Sequence, residues 1–156
     1  MITGYYEDIA VGQTFRSNGR TINEAYVMQF AMLTGDWHPL HTDVEYARKG
    51  AFGEPISHGM LTLAVATGLM TLSPESVKAF YGMDRVRFLR PVVFGDTITV
   101  LTEVADRGPL KQDSGVIELK VTVVNQREEP VLAAQLKFLV RSRSSEALVS
   151  SRSALA

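Results

Sequence analysis

The chain contains no cysteine, which excludes disulfides, thiolate nucleophiles and sulfur-ligated zinc together. It also lacks an excess of either charge: 16 Lys and Arg stand against 17 Asp and Glu, a formal net charge of −1. That balance offers no attraction to nucleic acid or to an anionic membrane surface. The longest apolar run, Met60 to Leu72, is interrupted by Thr62, Thr67, Gly68 and Thr71 and falls short of the roughly 20 residues that cross a bilayer. Met1 to Asp8 shows neither the basic start nor the apolar stretch of a secretion signal. These absences predict a soluble, cytoplasmic protein with no nucleic-acid or membrane partner.

What is present is 156 residues, 46% of them hydrophobic, enough for one domain with a sizeable core. Up to Leu72 the pattern is helical with long loops. Thr21-x-x-Glu24 reads as a capping box before Val27, Phe30, Ala31 and Thr34, which share a helical face that Gly35 ends. A loop with Pro39, Gly50, Gly53 and Pro55 leaves room for one helical turn at residues 44–48. The segment from Gly59 to Met70 is apolar on almost every side, which predicts a helix buried all round.

Beyond it the period changes to two. Residues 83–90, 97–104, 116–124 and 131–140 alternate apolar and polar positions, with turn residues between them. Short links between alternating strands predict an antiparallel meander with one buried face, joined by an early strand near residues 13–20. The predicted architecture is α+β: a curved antiparallel sheet wrapped around a buried central helix, in a single domain over residues 1–141. The Ser-rich residues 142–156 read as a frayed tail.

All three histidines fall in one stretch: Gly35-Asp36-Trp37-His38-Pro39-Leu40-His41, then Ser57-His58-Gly59. Pro39 disfavours helix at His38, so residues 36–41 read as an extended turn able to bring an acid and an imidazole onto one small molecule such as water. The same residues could instead be an Asp turn-cap and ordinary loop histidines. Gly59, at the start of the apolar helix, presents free N–H groups and a partial positive charge, the requirements of an oxyanion site. Ser57 could equally be a plain helix cap. Asp36, His38 and His41 also spell D-x-H-x-x-H, so a metal-dependent enzyme is an alternative.

Gly35-Asp36-Trp37-His38-Pro39-Leu40-His41, with Asp43, Ala47, Phe52, Pro55-Ile56 and His58-Gly59-Met60, resembles the signature of the MaoC-like dehydratases, the (R)-specific 2-enoyl-CoA hydratases of the hotdog fold. Arg87-Phe88-Leu89-Arg90-Pro91-Val92-Val93-Phe94-Gly95-Asp96-Thr97 resembles the strand–turn–strand that follows that family's central helix. The likeness runs from about Tyr6 to Val140. It implies a hydro-lyase adding water reversibly, with syn geometry, to a trans-2-enoyl thioester of CoA or acyl carrier protein, giving the (R)-3-hydroxyacyl thioester. It implies Asp36 and His41 as the catalytic dyad, the Gly59 amide as oxyanion donor and Thr67 as a supporting hydroxyl. His38 departs from the family, which commonly has Asn there.

Substrate contacts are expected from Trp37, His38, His58, Thr67, Arg87 and Arg90, the arginines meeting carrier phosphates. Neither metal nor cofactor is expected beyond the thioester carrier. A homodimer, or a multiple of it, would close the sheet's open edges. A hotdog thioesterase and a non-catalytic acyl-CoA-binding protein are the other readings.

Overall fold

The computed structural model describes residues 2–144. A 3₁₀ turn at Tyr6–Asp8 precedes β1 (Thr14–Arg16) and β2 (Arg20–Thr21). Helix α1 (Glu24–Thr34) follows, then the short helices α2 (Pro39–Thr42) and α3 (Val44–Arg48) and the central helix α4 (Gly59–Leu69). Four long strands complete the chain: β3 (Val77–Phe88), β4 (Thr97–Arg107), β5 (Ser114–Val124) and β6 (Pro130–Arg141). No described helix is long and apolar enough to cross a membrane.

The sheet is antiparallel, ordered β1-β4-β5-β6-β3, with β2 also paired to β4. Period-two patterning put the expected residues on the core face: Ile98, Val100 and Val104 of β4, Ile117, Leu119, Val121 and Val123 of β5, and Leu132, Leu136, Phe138 and Val140 of β6 are buried. Removing such a side chain from water contributes about 1.5–3 kcal/mol each. The meander holds for β4, β5 and β6, but β3 pairs with β6 rather than with β4. Residues 89–96 do not form a hairpin because their backbone is engaged elsewhere. The Ser57 N–H donates to the Val92 carbonyl at 2.7 Å, and Ile56 bridges Val93.

Helix α1 starts later than the capping box implies. Asn23 is the cap, its Oδ1 accepting from the Tyr26 N–H at 3.0 Å. Thr21 lies in β2, and its hydroxyl pairs with Thr97 Oγ1 at 2.8 Å. Gly35 ends the helix as expected, at φ +78° with its N–H on the Ala31 carbonyl. Residues 44–48 do form a helical turn, capped by the Asp43 side chain.

Two further expectations change. Helix α4 buries Leu61, Thr62, Leu63 and Ala66 against the sheet but leaves Met60, Ala64 and Gly68 exposed on its outer face. Strand β3 lies at the sheet edge, with Phe80, Tyr81 and Met83 exposed. The supposed tail begins with well-held residues: Ser142 is buried and donates to Glu7, and the Arg143 guanidinium pairs with Asp8 at 2.5 Å. The rest of that segment lies outside the described residues.

Candidate active site

The loop after Gly35 is not extended throughout. His38 has ψ 132°, as a residue before proline should, but Pro39 then opens α2, its fixed φ suiting the first helical position. His38 caps this helix: its Nδ1 accepts from the Leu40 N–H at 3.1 Å. An imidazole thus makes the one acceptor contact that a shorter amide would make, and its ring lies edge-on to Tyr46. Its side chain is exposed outside the cleft described next, as is Trp37.

One turn of α2 lifts His41 into a cleft of about 640 Å³ between the 36–41 loop, the start of α4 and the residues that follow β3. Asp36, His41 and His58 converge there, each offering an atom within 4.8 Å of the others. His41 Nδ1 lies 2.7 Å from the Ile56 carbonyl. A carbonyl only accepts, so Nδ1 carries the proton and Nε2 is the free basic nitrogen. The Asp36 carboxylate is about half exposed, and its Oδ1 accepts from the His38 N–H at 3.3 Å.

Burial pushes the His41 imidazole below its ordinary range. The Ile56 carbonyl opposes this, the neighbouring His58 and His38 add to it, and Asp36 opposes it. Neutral His41 is therefore the dominant form at pH 7. The sign is fixed: a lowered pKa moves the loss of a neutral base to lower pH. The acid limb of the kcat/KM profile is expected below the unperturbed imidazole value of about 6.5, and a limb above it would contradict His41 as the base.

The start of α4 supplies the third component. His58 is its N-cap residue and makes no side-chain capping bond. Ser57 does not cap it either, because its hydroxyl donates to the His58 carbonyl. Gly59, the first residue of the helix, lines the cleft with an N–H that has no intrahelical acceptor. A Cβ at Gly59 would meet the Phe88 ring at 2.8 Å, so any side chain there would have to displace that ring.

The other expected contacts divide. Arg90 lines the cleft, its Nη1 donating to the Pro130 carbonyl. Arg87 does not line it, and its Nη1 donates to the Val86 carbonyl. Thr67 is also away from the cleft, its hydroxyl turned back to the Ala64 carbonyl two turns along α4. The threonine of α4 at the site is Thr62, which joins Thr34 and Ser57 in the cleft lining and, with Phe30 and Phe88, forms wall that the spacing of polar residues did not reveal.

The D-x-H-x-x-H string is not brought together as a ligand set, since His58 rather than His38 joins Asp36 and His41. The rings of His41 and His58 stack, centroids 3.9 Å apart and planes 29° apart.

Comparison with known proteins identifies the family and the fold. The family model described as a MaoC like domain matches residues 8–126. Protein MaoC of Klebsiella aerogenes is 39% identical over 97 residues, covering 62% of this chain, which spans only 29% of that protein. The (R)-specific enoyl-CoA hydratase of Rhodospirillum rubrum is 33% identical over 112 residues, covering 72% of this chain and 77% of the hydratase. Among solved structures, the monoamine oxidase regulatory protein from Archaeoglobus fulgius superposes with a TM-score of 0.85 at 42% identity, over 91% of this chain and 97% of that one. A Mycobacterium tuberculosis protein described as a double hotdog fold superposes at 0.80 and 24% identity, over 90% of this chain and 44% of its own, which shows the fold. With a match over most of its length and the Asp–His pair set beside the first amide of the central helix, the chain belongs to the MaoC-like dehydratase family and has the hotdog fold.

Proposed function

We propose that the protein is a hydro-lyase that reversibly hydrates a trans-2-enoyl thioester to the (R)-3-hydroxyacyl thioester. The observation that carries this is the meeting of three groups in one cleft: the Asp36 carboxylate, the free Nε2 of His41 and the Gly59 N–H. Asp36 and His41 hold one water between them. The thioester oxygen faces the Gly59 N–H, which directs the alkene carbons toward that water. The pair draws a proton from the water as its oxygen attacks C3, and the electrons move to the thioester oxygen as an enolate. The Gly59 amide stabilises that oxyanion by about 2.7–4 kcal/mol, as single donors do elsewhere. The proton held by the pair then passes to C2. Both new bonds form on the face turned toward the dyad, so addition is syn.

No further cofactor enters this scheme, because the carrier is part of the substrate. Arg90 at the cleft offers a guanidinium to carrier phosphates, the role also proposed for Arg87 from the sequence. Crotonyl-CoA is the direct test. Loss of enoyl absorbance without release of free thiol supports the hydratase. Thiol release would make the protein a thioesterase, and absence of both reactions would make it a non-catalytic binder. The reading places the enzyme in the cytoplasm, in keeping with its cysteine-free sequence.

The same reading includes a homodimer. Strand β3 leaves an unpaired edge carrying Tyr81 and Met83, and the outer face of α4 is bare at Met60, Ala64 and Gly68. An open apolar edge is a surface that invites a second copy. Light scattering at micromolar concentration is expected to give twice the chain mass. The double variant Tyr81→Lys, Met83→Lys is expected to shift it toward the single chain; a wild-type monomer would count against the assembly.

A further inference from the structure

We infer that His58 is a positioning residue that sets both members of the dyad at once, through one hydrogen bond and one ring stack, without touching substrate. The inference rests on Asp36 and His41 being the hydrating pair. His58 is only 3% exposed. Its Nε2 lies 3.0 Å from the main-chain carbonyl of Asp36 and 3.9 Å from that residue's Oδ2. The carbonyl accepts, so the proton is on Nε2, and the bond ties the loop of Asp36 to the first residue before α4. One ring face of His58 supports His41, with centroids 3.9 Å apart. Phe30 stands 5.0 Å from the same ring, tilted by 52°.

These contacts have separate consequences. Asp36 follows a left-handed glycine and is half exposed, so its carboxylate direction depends on where the loop is pinned. The bond from His58 is a pin that comes from the rigid end of the central helix. His41 has its Nδ1 fixed on Ile56, but that bond alone leaves the ring free to rotate about the bond axis. The stack removes this freedom and covers one face of the ring, which contributes to the burial that lowers the His41 pKa. The His58 Nδ1 is buried with no hydrogen-bond partner. Burying an unpaired acceptor costs stability, which an aliphatic residue at this position would avoid. The cost fits a residue retained for what its ring does to its neighbours.

Two substitutions separate the contacts. His58→Gln keeps an N–H near the place of Nε2 but removes the ring. His58→Phe keeps a ring under His41 but removes the donor. The titratable or charged groups facing the stack are Asp36 and His38 on the loop and Arg90 across the cleft, and both variants retain all three.

For His58→Gln, the acid limb of the kcat/KM profile for crotonyl-CoA should move up toward the ordinary imidazole value, as His41 gains water and loses a neighbouring ring. For His58→Phe, which keeps the ring's cover over His41 and loses only the smaller electrostatic contribution of His58, that limb should move up less than in His58→Gln while kcat falls about 10²-fold, the loss expected from a misplacement near 1 Å. KM should change little in either. An unmoved limb in His58→Gln overturns the inference, as does wild-type kcat in a folded His58→Phe. A raised KM at unchanged kcat would make His58 a substrate contact and also overturn it. Should His58→Phe fail to fold by circular dichroism, the limb of His58→Gln decides alone. Failure of the wild-type protein to hydrate crotonyl-CoA would instead remove the underlying reading.

Discussion

Replacing Asp36 by Asn is expected to lower kcat for crotonyl-CoA hydration by about 10²–10⁴-fold, the usual loss when a positioned acid–base group is removed. The substitution suits the geometry. The Asn oxygen can still accept from the His38 N–H, and the main-chain carbonyl held by His58 is untouched. The loop should keep its shape while the carboxylate's basicity is lost. For His41 the matching change is His41→Asn, because an Asn amide can occupy the place of Nδ1 and still donate to Ile56, leaving no group at the place of Nε2. A loss of similar size is expected. The double variant should be little worse than either single one, since groups that act as a unit are strongly non-additive. Circular dichroism should be unchanged throughout. Turnover within a few-fold of wild type in either single variant would remove the dyad from the mechanism.

The second large effect should come from Gly59→Pro. Proline removes the backbone N–H, yet this is the first helical position, where proline is well tolerated. His58 already has φ −57° and ψ 134°, the extended backbone that a following proline requires. The obstacle is the Phe88 ring, 2.8 Å from any added Cβ. The comparison is therefore made in a Phe88→Ala background, between Gly59→Pro and Gly59→Ala. Both carry the new Cβ and only alanine keeps the donor. The proline variant is expected to show kcat lower by about 10²–10³-fold, the loss of one oxyanion donor. Equal rates would mean that the oxyanion rests on something else.

Much of this site was legible before any coordinates. Asp36 and His41 lie in a short proline-containing stretch, and the apolar run beginning at Gly59 announced the helix whose first residue lines the same cleft. Trp37 and Arg87 were expected as substrate contacts from side-chain chemistry and His38 and Thr67 from the resemblance, and none of these side chains lines the cleft. His38 turned out to make a local capping bond, which a sequence cannot distinguish from a ligand contact because both need only a nitrogen lone pair. Thr67 and Thr62 lie on the same helix, and only the orientation of that helix on the sheet tells which hydroxyl approaches the site. The Thr21 capping box failed for a related reason: a strand partner at Thr97 engaged the hydroxyl first.

Local pattern sufficed for the strand faces of β4 to β6 and the end of α1 at Gly35, because side-chain period and backbone preference act within a few residues. The pairing of β3 with β6, the bare outer side of α4 and the stack of His58 on His41 depended on contacts between distant segments. Such contacts follow from which surfaces pack once the sheet has curled, and neighbouring residues in the chain carry no record of that choice.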